Sequence, residues 1–158
     1  MKKNNLKVYA MIPTRIGSER LKYKNLALIK NKPLISYAIN IAKQSKIFDK
    51  IFINSDHEVF KKIADRYNID FYLRNKRLGS SKAKSDEVVY DFLVNNSCDI
   101  LIWVNPIAPL QTVNELLKSY KYFTLNDYNS LLTVVEKNVH FIKKNKPLNF
   151  KLKIKFQK

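Results

Sequence analysis

Short apolar runs alternate along the chain with stretches whose apolar residues recur at helical spacing. Apolar runs of roughly four to eight residues are typical of buried strands, whereas apolar residues three or four positions apart are typical of helices. The runs predict strands over about 6–12, 50–54, 69–73, 99–104 and 129–135. The run at 99–104 is unbroken, which predicts a central strand buried on both faces.

Helices are predicted between these strands. Pro33 stands where the first helix can begin. Asp56, Ser85 and Thr112 are candidate N-caps of the next three, because their side-chain oxygens accept hydrogen bonds from first-turn N–H groups. Alternating strands and helices predict an α/β fold of three layers with a mostly parallel sheet.

A basic loop follows the first predicted strand, which Pro13 ends because proline cannot donate to a strand ladder. Only Glu19 opposes its polar and cationic residues, which are Arg15, Gly17, Ser18, Arg20, Lys22, Lys24 and Asn25. Gly17 is expected to allow a tight turn that presents N–H groups. Amide donors, a hydroxyl and cations suit a triphosphate, although a solvated surface loop is the alternative interpretation.

Two further polar loops also leave the carboxyl ends of predicted strands. One spans 74–84 and contains Gly79, Ser80 and Ser81, and the other is the proline-rich segment 105–110. Ligands of open parallel sheets bind at the carboxyl ends of the strands. The three loops are therefore expected to converge on one site, which matches neither a Walker loop nor a GxGxxG motif.

The character of the chain changes after Glu136. Lysines dominate without any acid, while Leu148, Phe150, Leu152, Ile154 and Phe156 alternate strictly with polar residues. This alternation predicts a half-exposed strand. We therefore divide the chain into a nucleotide-binding α/β domain over 1–136 and a basic C-terminal extension over 137–158, which is an edge strand or the start of a further segment.

The 158 residues carry a net charge of +17, which favours anionic partners such as nucleotides, nucleic acid or anionic lipid. The excess is mostly lysine spread along the chain, and genomic base bias is an alternative cause. Cys98 is the single cysteine, which excludes a disulfide framework and a cysteine-rich metal site. No apolar run approaches the roughly 20 residues of a membrane helix and no signal peptide is visible, so a cytoplasmic location is expected.

Three segments resemble motifs of the acylneuraminate cytidylyltransferase family, which comprises the CMP-sialic acid synthetases and their relatives. Residues 12–18 and 24–26 resemble its signature IPAR-x-x-S followed by K-N-L. Residues 73–80 with Ser85 resemble LRP-x-x-L-A and a later serine, and residues 105–110 resemble L-Q-P-T-S-P-L. The resemblance covers about residues 6–136 and implies a Rossmann-like fold of the nucleotide-diphospho-sugar transferase type.

The resemblance also implies a reaction, in which a sugar hydroxyl attacks the α-phosphorus of CTP and pyrophosphate leaves. Arg15 and Lys24 are then the catalytic residues, and both would bind the triphosphate together with Ser18. Asn105, where the family has glutamine, would position the sugar. The remaining residues with an implied nucleotide-binding role are Gly17, Asn25, Arg74, Gly79, Ser80 and Ser85, with Arg74 and the backbone of 78–82 reading cytosine.

Some positions depart from the family pattern. They are Glu19 in the phosphate loop, Asn75 in place of proline, Ser81 in place of aspartate, and Asn105. The family implies Mg²⁺, but its metal-binding aspartates belong to a later segment that would start near residues 157–158, so no metal ligand is assigned. Capping, surface or strand-end roles are expected for Asp56, Asp86 and Asp99.

Three functional hypotheses remain open at this point. The first is a transferase that joins CTP to an acidic eight- or nine-carbon sugar, with a homodimer left open. The second is a nucleotide-binding module that lacks the metal acids and therefore turns CTP over poorly or not at all. The third and least favoured is a basic nucleic-acid-binding protein, since no RNP-like motif or interleaved aromatic pattern accompanies the charge.

Overall fold

The computed structural model describes residues 6–18, 21–135, 141–144 and 146–148, and its main sheet has four strands. In chain order the strands are β1 (Val8–Thr14), β2 (Leu28–Ile29), β3 (Lys32–Pro33), β4 (Lys50–Ser55), β5 (Asp70–Leu73), β6 (Ile100–Trp103), β7 (Ile142–Lys143) and β8 (Lys146–Pro147). The helices are α1 (Leu34–Ser45), α2 (Lys61–Tyr67), α3 (Ser85–Asn95) and α4 (Val113–Leu125). Short 3₁₀ turns cover Lys24–Leu26, Glu58–Phe60 and Lys76–Gly79.

The main sheet has the strand order β5-β4-β1-β6, and every pair of neighbours is parallel. Thr14 at the end of β1 lies opposite Ser55 at the end of β4, which in turn lies opposite Leu73 at the end of β5. The carboxyl ends of these strands therefore meet at one edge. The loops that follow them start within reach of one another.

Two apolar clusters pack on opposite faces of the sheet, because successive side chains of a strand point to opposite sides. The cluster under α1 and α2 contains Ala10, Ile12, Ile35, Ala38, Ile39, Ala42, Ile53, Phe60, Ala64 and Val104. The cluster under α3 contains Tyr9, Met11, Phe52, Leu78, Val88 and Phe92. Helices on both faces of a parallel sheet confirm the predicted three-layer α/β fold.

Two strand predictions were wrong. Residues 129–135 form no strand, and Leu132, Val134 and Val135 are 83%, 79% and 78% exposed. An apolar run becomes a strand only when a neighbouring strand satisfies its backbone groups, and no described strand pairs with this one. The strand predicted at 99–104 as central is β6. Because no described strand lies beyond it, β6 is an edge strand of the described sheet, and its Trp103 is 40% exposed.

The predicted strand that begins at Leu148 lies almost wholly outside the described residues. The described part of this region is the antiparallel pair of β7 and β8. The boundary at residue 136 also falls on residues that are not described, so the division into two parts stays a prediction. Within the described residues, no helix has the length and apolar character needed to cross a bilayer.

The three predicted helix caps have different outcomes. Thr112 is confirmed, since its Oγ1 accepts from the Glu115 N–H at 3.2 Å while the Glu115 carboxylate accepts from the Thr112 N–H at 2.7 Å. Ser85 is one residue late, because Lys84 is the N-cap residue of α3 and Glu87 accepts its N–H at 2.9 Å. Asp56 does not cap, and the Nδ1 atom of His57 accepts the Val59 N–H instead.

A tyrosine hydroxyl links β5 to α3. The hydroxyl of Tyr72 donates to the Asp91 carboxylate at 2.9 Å and accepts from the side-chain amide of Asn95 at 2.9 Å. Burial, followed by the hydrogen bond and the negative charge of Asp91, raises the pKa of Tyr72 to about 12. The neutral hydroxyl is therefore part of the packing of α3 on the sheet.

We expect Tyr72→Phe to lower the free energy of unfolding at neutral pH by about 1–3 kcal/mol, because it removes two hydrogen bonds of about 0.5–1.5 kcal/mol each. Because the folded-state pKa of Tyr72 is raised from 10.0 to about 12, its contribution is fully present below pH 10 and is lost as the pH rises through about 12. Urea unfolding of both proteins at several pH values measures this difference. Tyr90→Phe is the control, since Tyr90 is 73% exposed, and a Tyr72 effect that does not shrink at high pH would contradict the account.

Candidate nucleotide site at the carboxyl edge of the sheet

The loops after β1, β5 and β6 surround a cavity of about 300 Å³ at the carboxyl edge of the sheet. This is the convergence that the loop positions predicted. The residues proposed from the sequence that line it are Arg15, Ser18, Lys24, Asn25, Arg74, Ser80, Ser85 and Asn105. Gly17 and Gly79 are not on its wall.

The first loop does not turn at its glycine. Gly17 does not have a positive φ, and a Cβ atom built on it would meet nothing within 4 Å. The expectation of a glycine-dependent turn was therefore wrong. In the described part of this loop the left-handed residue is Tyr23, with φ 55°, and its carbonyl accepts the Leu26 N–H at 2.7 Å.

The 3₁₀ turn after Tyr23 presents two of the predicted residues to the cavity. Lys24 is half-buried, and Asn25 is only 4% exposed. The side-chain oxygen of Asn25 has no hydrogen-bond partner. This turn therefore brings one cation and one unpaired acceptor to the site.

Arg74 is a buried brace between strand ends. Its Nη1 donates to the carbonyl and side-chain oxygens of Asn54 at 2.6 and 2.9 Å, and its Nη2 donates to the Thr14 carbonyl at 2.7 Å. Burial lowers the pKa of Arg74, and the carboxylate of Asp56, 3.9 Å from Nη2, opposes that shift. The guanidinium ties β1 to β4, and of its nitrogens Nε is buried without a partner.

Asp56 is not part of the cavity wall, but it contacts the first and second loops. The sequence indicated only that this residue stands at a strand end. Its Oδ1 accepts the Ile16 N–H at 3.2 Å, and its side chain packs against Gly79. A Cβ atom on Gly79 would overlap the carboxylate and lie 2.7 Å from the Asp56 Cβ. The carboxylate therefore connects the first and second loops, and Gly79 is required by this close approach.

The third loop is shaped by Asn105. Its side-chain oxygen accepts the Ile107 N–H at 3.2 Å and closes a turn. The amide nitrogen is the donor that this turn does not use. Thr14 and Trp103 are among the wall residues to which sequence reasoning gave no role. Thr14 could have been found from its position at a strand end, whereas an apolar strand residue such as Trp103 gave no signal.

Three buried side-chain polar atoms in the described part of the chain lack a hydrogen-bond partner. They are Thr14 Oγ1, Asn25 Oδ1 and Arg74 Nε. All three residues line the same cavity. Buried polar groups in native proteins are nearly always paired, so their concentration on one wall indicates a ligand site.

The described residues do not supply a ligand set for the Mg²⁺ that the family resemblance implies. They contain no group of three or more His, Cys, Asp or Glu side chains placed to hold a metal ion. Asp56, the carboxylate behind the cavity, accepts from the Ile16 N–H and lies against Arg74.

We expect Gly79→Ala to destabilise the protein by about 1–3 kcal/mol, the usual cost of overpacking, because the new methyl group overlaps Asp56. Gly17→Ala is the matched control and should leave stability nearly unchanged, since its Cβ enters open space. Urea denaturation of the two variants measures the contrast. Equal effects at both glycines would show that Asp56 does not pack against Gly79.

Comparisons with known proteins identify the family of this chain. A family model described as cytidylyltransferase matches residues 9–151. An N-acylneuraminate cytidylyltransferase of Escherichia coli O18:K1:H7 is 33% identical over 134 residues, which cover 84% of this chain and 32% of that protein. A pseudaminic acid cytidylyltransferase of Campylobacter jejuni is 32% identical over 137 residues, which cover 83% of this chain and 59% of that protein.

A solved structure described as CMP:2-keto-3-deoxy-manno-octonic acid synthetase complexed with CTP shares the fold. It superposes with a TM-score of 0.68 at 18% identity and covers 76% of this chain and 48% of its own. The chain thus spans about a third to three fifths of the length of these proteins. Because the family model matches residues 9–151, most of the chain, this protein belongs to the cytidylyltransferase family.

Proposed function

We propose that this chain binds CTP in the cavity at the carboxyl edge of the sheet, as the nucleotide-binding part of an enzyme that activates an acidic sugar. In the proposed reaction a sugar hydroxyl attacks the α-phosphorus of CTP, and pyrophosphate leaves. The observation that carries the proposal is the convergence of three family-like loops on one wall with unpaired buried polar atoms.

The triphosphate is assigned to the first loop and the turn that follows it. Arg15, Ser18 and Lys24 line the cavity and are only partly buried. Arginine and lysine form charge-assisted hydrogen bonds with phosphate, and the planar fork of arginine can bind two oxygens at once. Donors that point to developing negative charge on the α-phosphoryl group and on pyrophosphate lower the barrier. We therefore assign the catalytic roles to Arg15 and Lys24.

The base is assigned to the second loop. The 3₁₀ turn Lys76–Gly79 fixes the backbone of this loop. The Leu78 N–H donates to the Asn75 carbonyl at 2.9 Å, and the Ser80 N–H donates to the Arg77 carbonyl at 3.2 Å. Arg74 would offer its unpaired Nε–H to a carbonyl or ring nitrogen of cytosine, while Ser80 and Ser85 stand on the same wall.

The acceptor sugar is assigned to the third loop. The turn that uses the side-chain oxygen of Asn105 leaves its amide nitrogen as a donor for an acidic sugar. Related enzymes are described by their acylneuraminate and pseudaminic acid substrates, which supports an acidic eight- or nine-carbon sugar as substrate class.

The comparisons do not favour nucleic-acid binding. Mg²⁺, a homodimer, a cytoplasmic location and slow turnover by this chain alone stay predictions, and pyrophosphate release with CTP, Mg²⁺ and a panel of sugar acids tests the last.

We expect Arg15→Ala to weaken CTP binding by about 1.5–3 kcal/mol, or roughly 10- to 150-fold, because a charged hydrogen-bond donor is lost. Calorimetric titration with CTP measures the change. Arg66→Ala is the control, since it removes the same charge from an exposed position in the last turn of α2. Equal losses of CTP affinity in the two variants would show that Arg15 acts only through its contribution to the net charge of the protein.

We expect CTP to bind about tenfold or more tightly than UTP or ATP, because a mismatched base leaves buried polar groups unpaired. Parallel titrations of the unmodified protein with the three nucleotides decide this. Tighter binding of ATP than of CTP would contradict the proposal that the second loop recognises cytosine.

A further inference from the structure

We propose that the hydroxyl of Thr14 hydrogen-bonds directly to the nucleoside part of the bound nucleotide and so helps to set nucleotide specificity. The inference rests on the proposed function and deepens it. Thr14 is 2% exposed and lines the cavity, and its Oγ1 has no hydrogen-bond partner. The other residues of that loop were assigned from motifs, and Thr14 was not.

The surrounding structure fixes the position of this hydroxyl. Thr14 is the last residue of β1, paired in register with Ser55, and its carbonyl accepts from the Nη2 atom of Arg74 at 2.7 Å. A β-branched side chain also has few χ1 rotamers. The backbone thus fixes where this hydroxyl lies within a residue that lines the cavity, and a ligand could supply the partner that the protein does not.

The unpaired atoms on this wall favour an uncharged ligand group over phosphate. Asn25 Oδ1 can only accept a hydrogen bond, Arg74 Nε can only donate one, and the Thr14 hydroxyl can do both. Phosphate oxygens of a nucleotide at neutral pH are acceptors and give Asn25 no donor. A nucleobase edge or a ribose carries donors and acceptors together, and therefore matches all three atoms.

The partition of burial in the cavity agrees with this placement. The three unpaired atoms belong to residues that are 2%, 4% and 5% exposed, whereas Arg15, Ser18 and Lys24 are only partly buried. A nucleotide with its phosphates toward the cations would direct its nucleoside toward Thr14. The signature that this loop resembles has alanine here, so the hydroxyl adds a contact to the motif.

Thr14→Val tests the proposal, because valine keeps the shape of threonine and removes the hydroxyl. We expect Thr14→Val to weaken CTP binding about three- to tenfold, the effect of one hydrogen bond, while Thr14→Ser retains affinity to within about twofold. Binding of inorganic triphosphate, measured by the same calorimetry, should be unchanged in both variants. Thr14→Ala serves as a second hydroxyl-free variant if valine impairs folding.

Thermal unfolding separates this contact from a structural role. Since Oγ1 has no partner in the free protein, Thr14→Val should unfold at the same temperature as the unmodified protein or higher, but gain less stabilisation from CTP. Unchanged CTP affinity in both Thr14→Val and Thr14→Ala would overturn the inference, as would an equal loss for CTP and inorganic triphosphate. If the unmodified protein itself fails to bind CTP, the proposed function is wrong and the inference falls with it.

Discussion

The guanidinium of Arg74 is the interaction on which the candidate site depends. It is 5% exposed, and it joins the carbonyl of Thr14 on β1 to both oxygens of Asn54 on β4. A buried cation is tolerated only when hydrogen bonds and opposite charge replace water, and three oxygens and the nearby Asp56 do so. Removing Arg74 would therefore release the carboxyl ends of β1 and β4 from each other.

Asp56 provides the opposite charge next to Arg74 and a second link between the loops. Its carboxylate receives the Ile16 N–H of the first loop and fills the space that Gly79 leaves empty. One positive and one negative side chain, both largely buried, thus hold two loops in register with three strand ends. A preorganised frame of this kind matters for phosphoryl transfer, since catalysis there depends mainly on positioning and electrostatic stabilisation.

The chain as a whole has a charge of +17, but the cavity is not uniformly positive in character. Its partly buried side carries Arg15 and Lys24, whereas its most buried residues include the neutral Thr14 and Asn25. An electrostatic attraction over the whole surface would speed the approach of any polyanion. Selection of one nucleotide requires the neutral, directional groups, because an unmatched donor or acceptor in a buried wall is costly.

The sequence alone predicted the α/β class, the first four strands of the sheet and the edge where three polar loops meet. These features follow from local periodicity and from the rule that parallel strands share one carboxyl edge. Eight of the ten proposed site residues line the cavity because they belong to those loops. Gly17 failed as a turn residue because the left-handed backbone lies at Tyr23 instead.

The tertiary structure decided which side chains brace the site and which remain free for a ligand. The Arg74–Thr14 and Asp56–Ile16 bonds join residues 60 and 40 positions apart, and no local pattern encodes such pairs. Likewise, Thr14 becomes a candidate contact only when its hydroxyl is seen to be buried and unpaired. Periodicity fixes which face a residue occupies, but hydrogen-bond partners across strand ends depend on how the whole sheet is assembled.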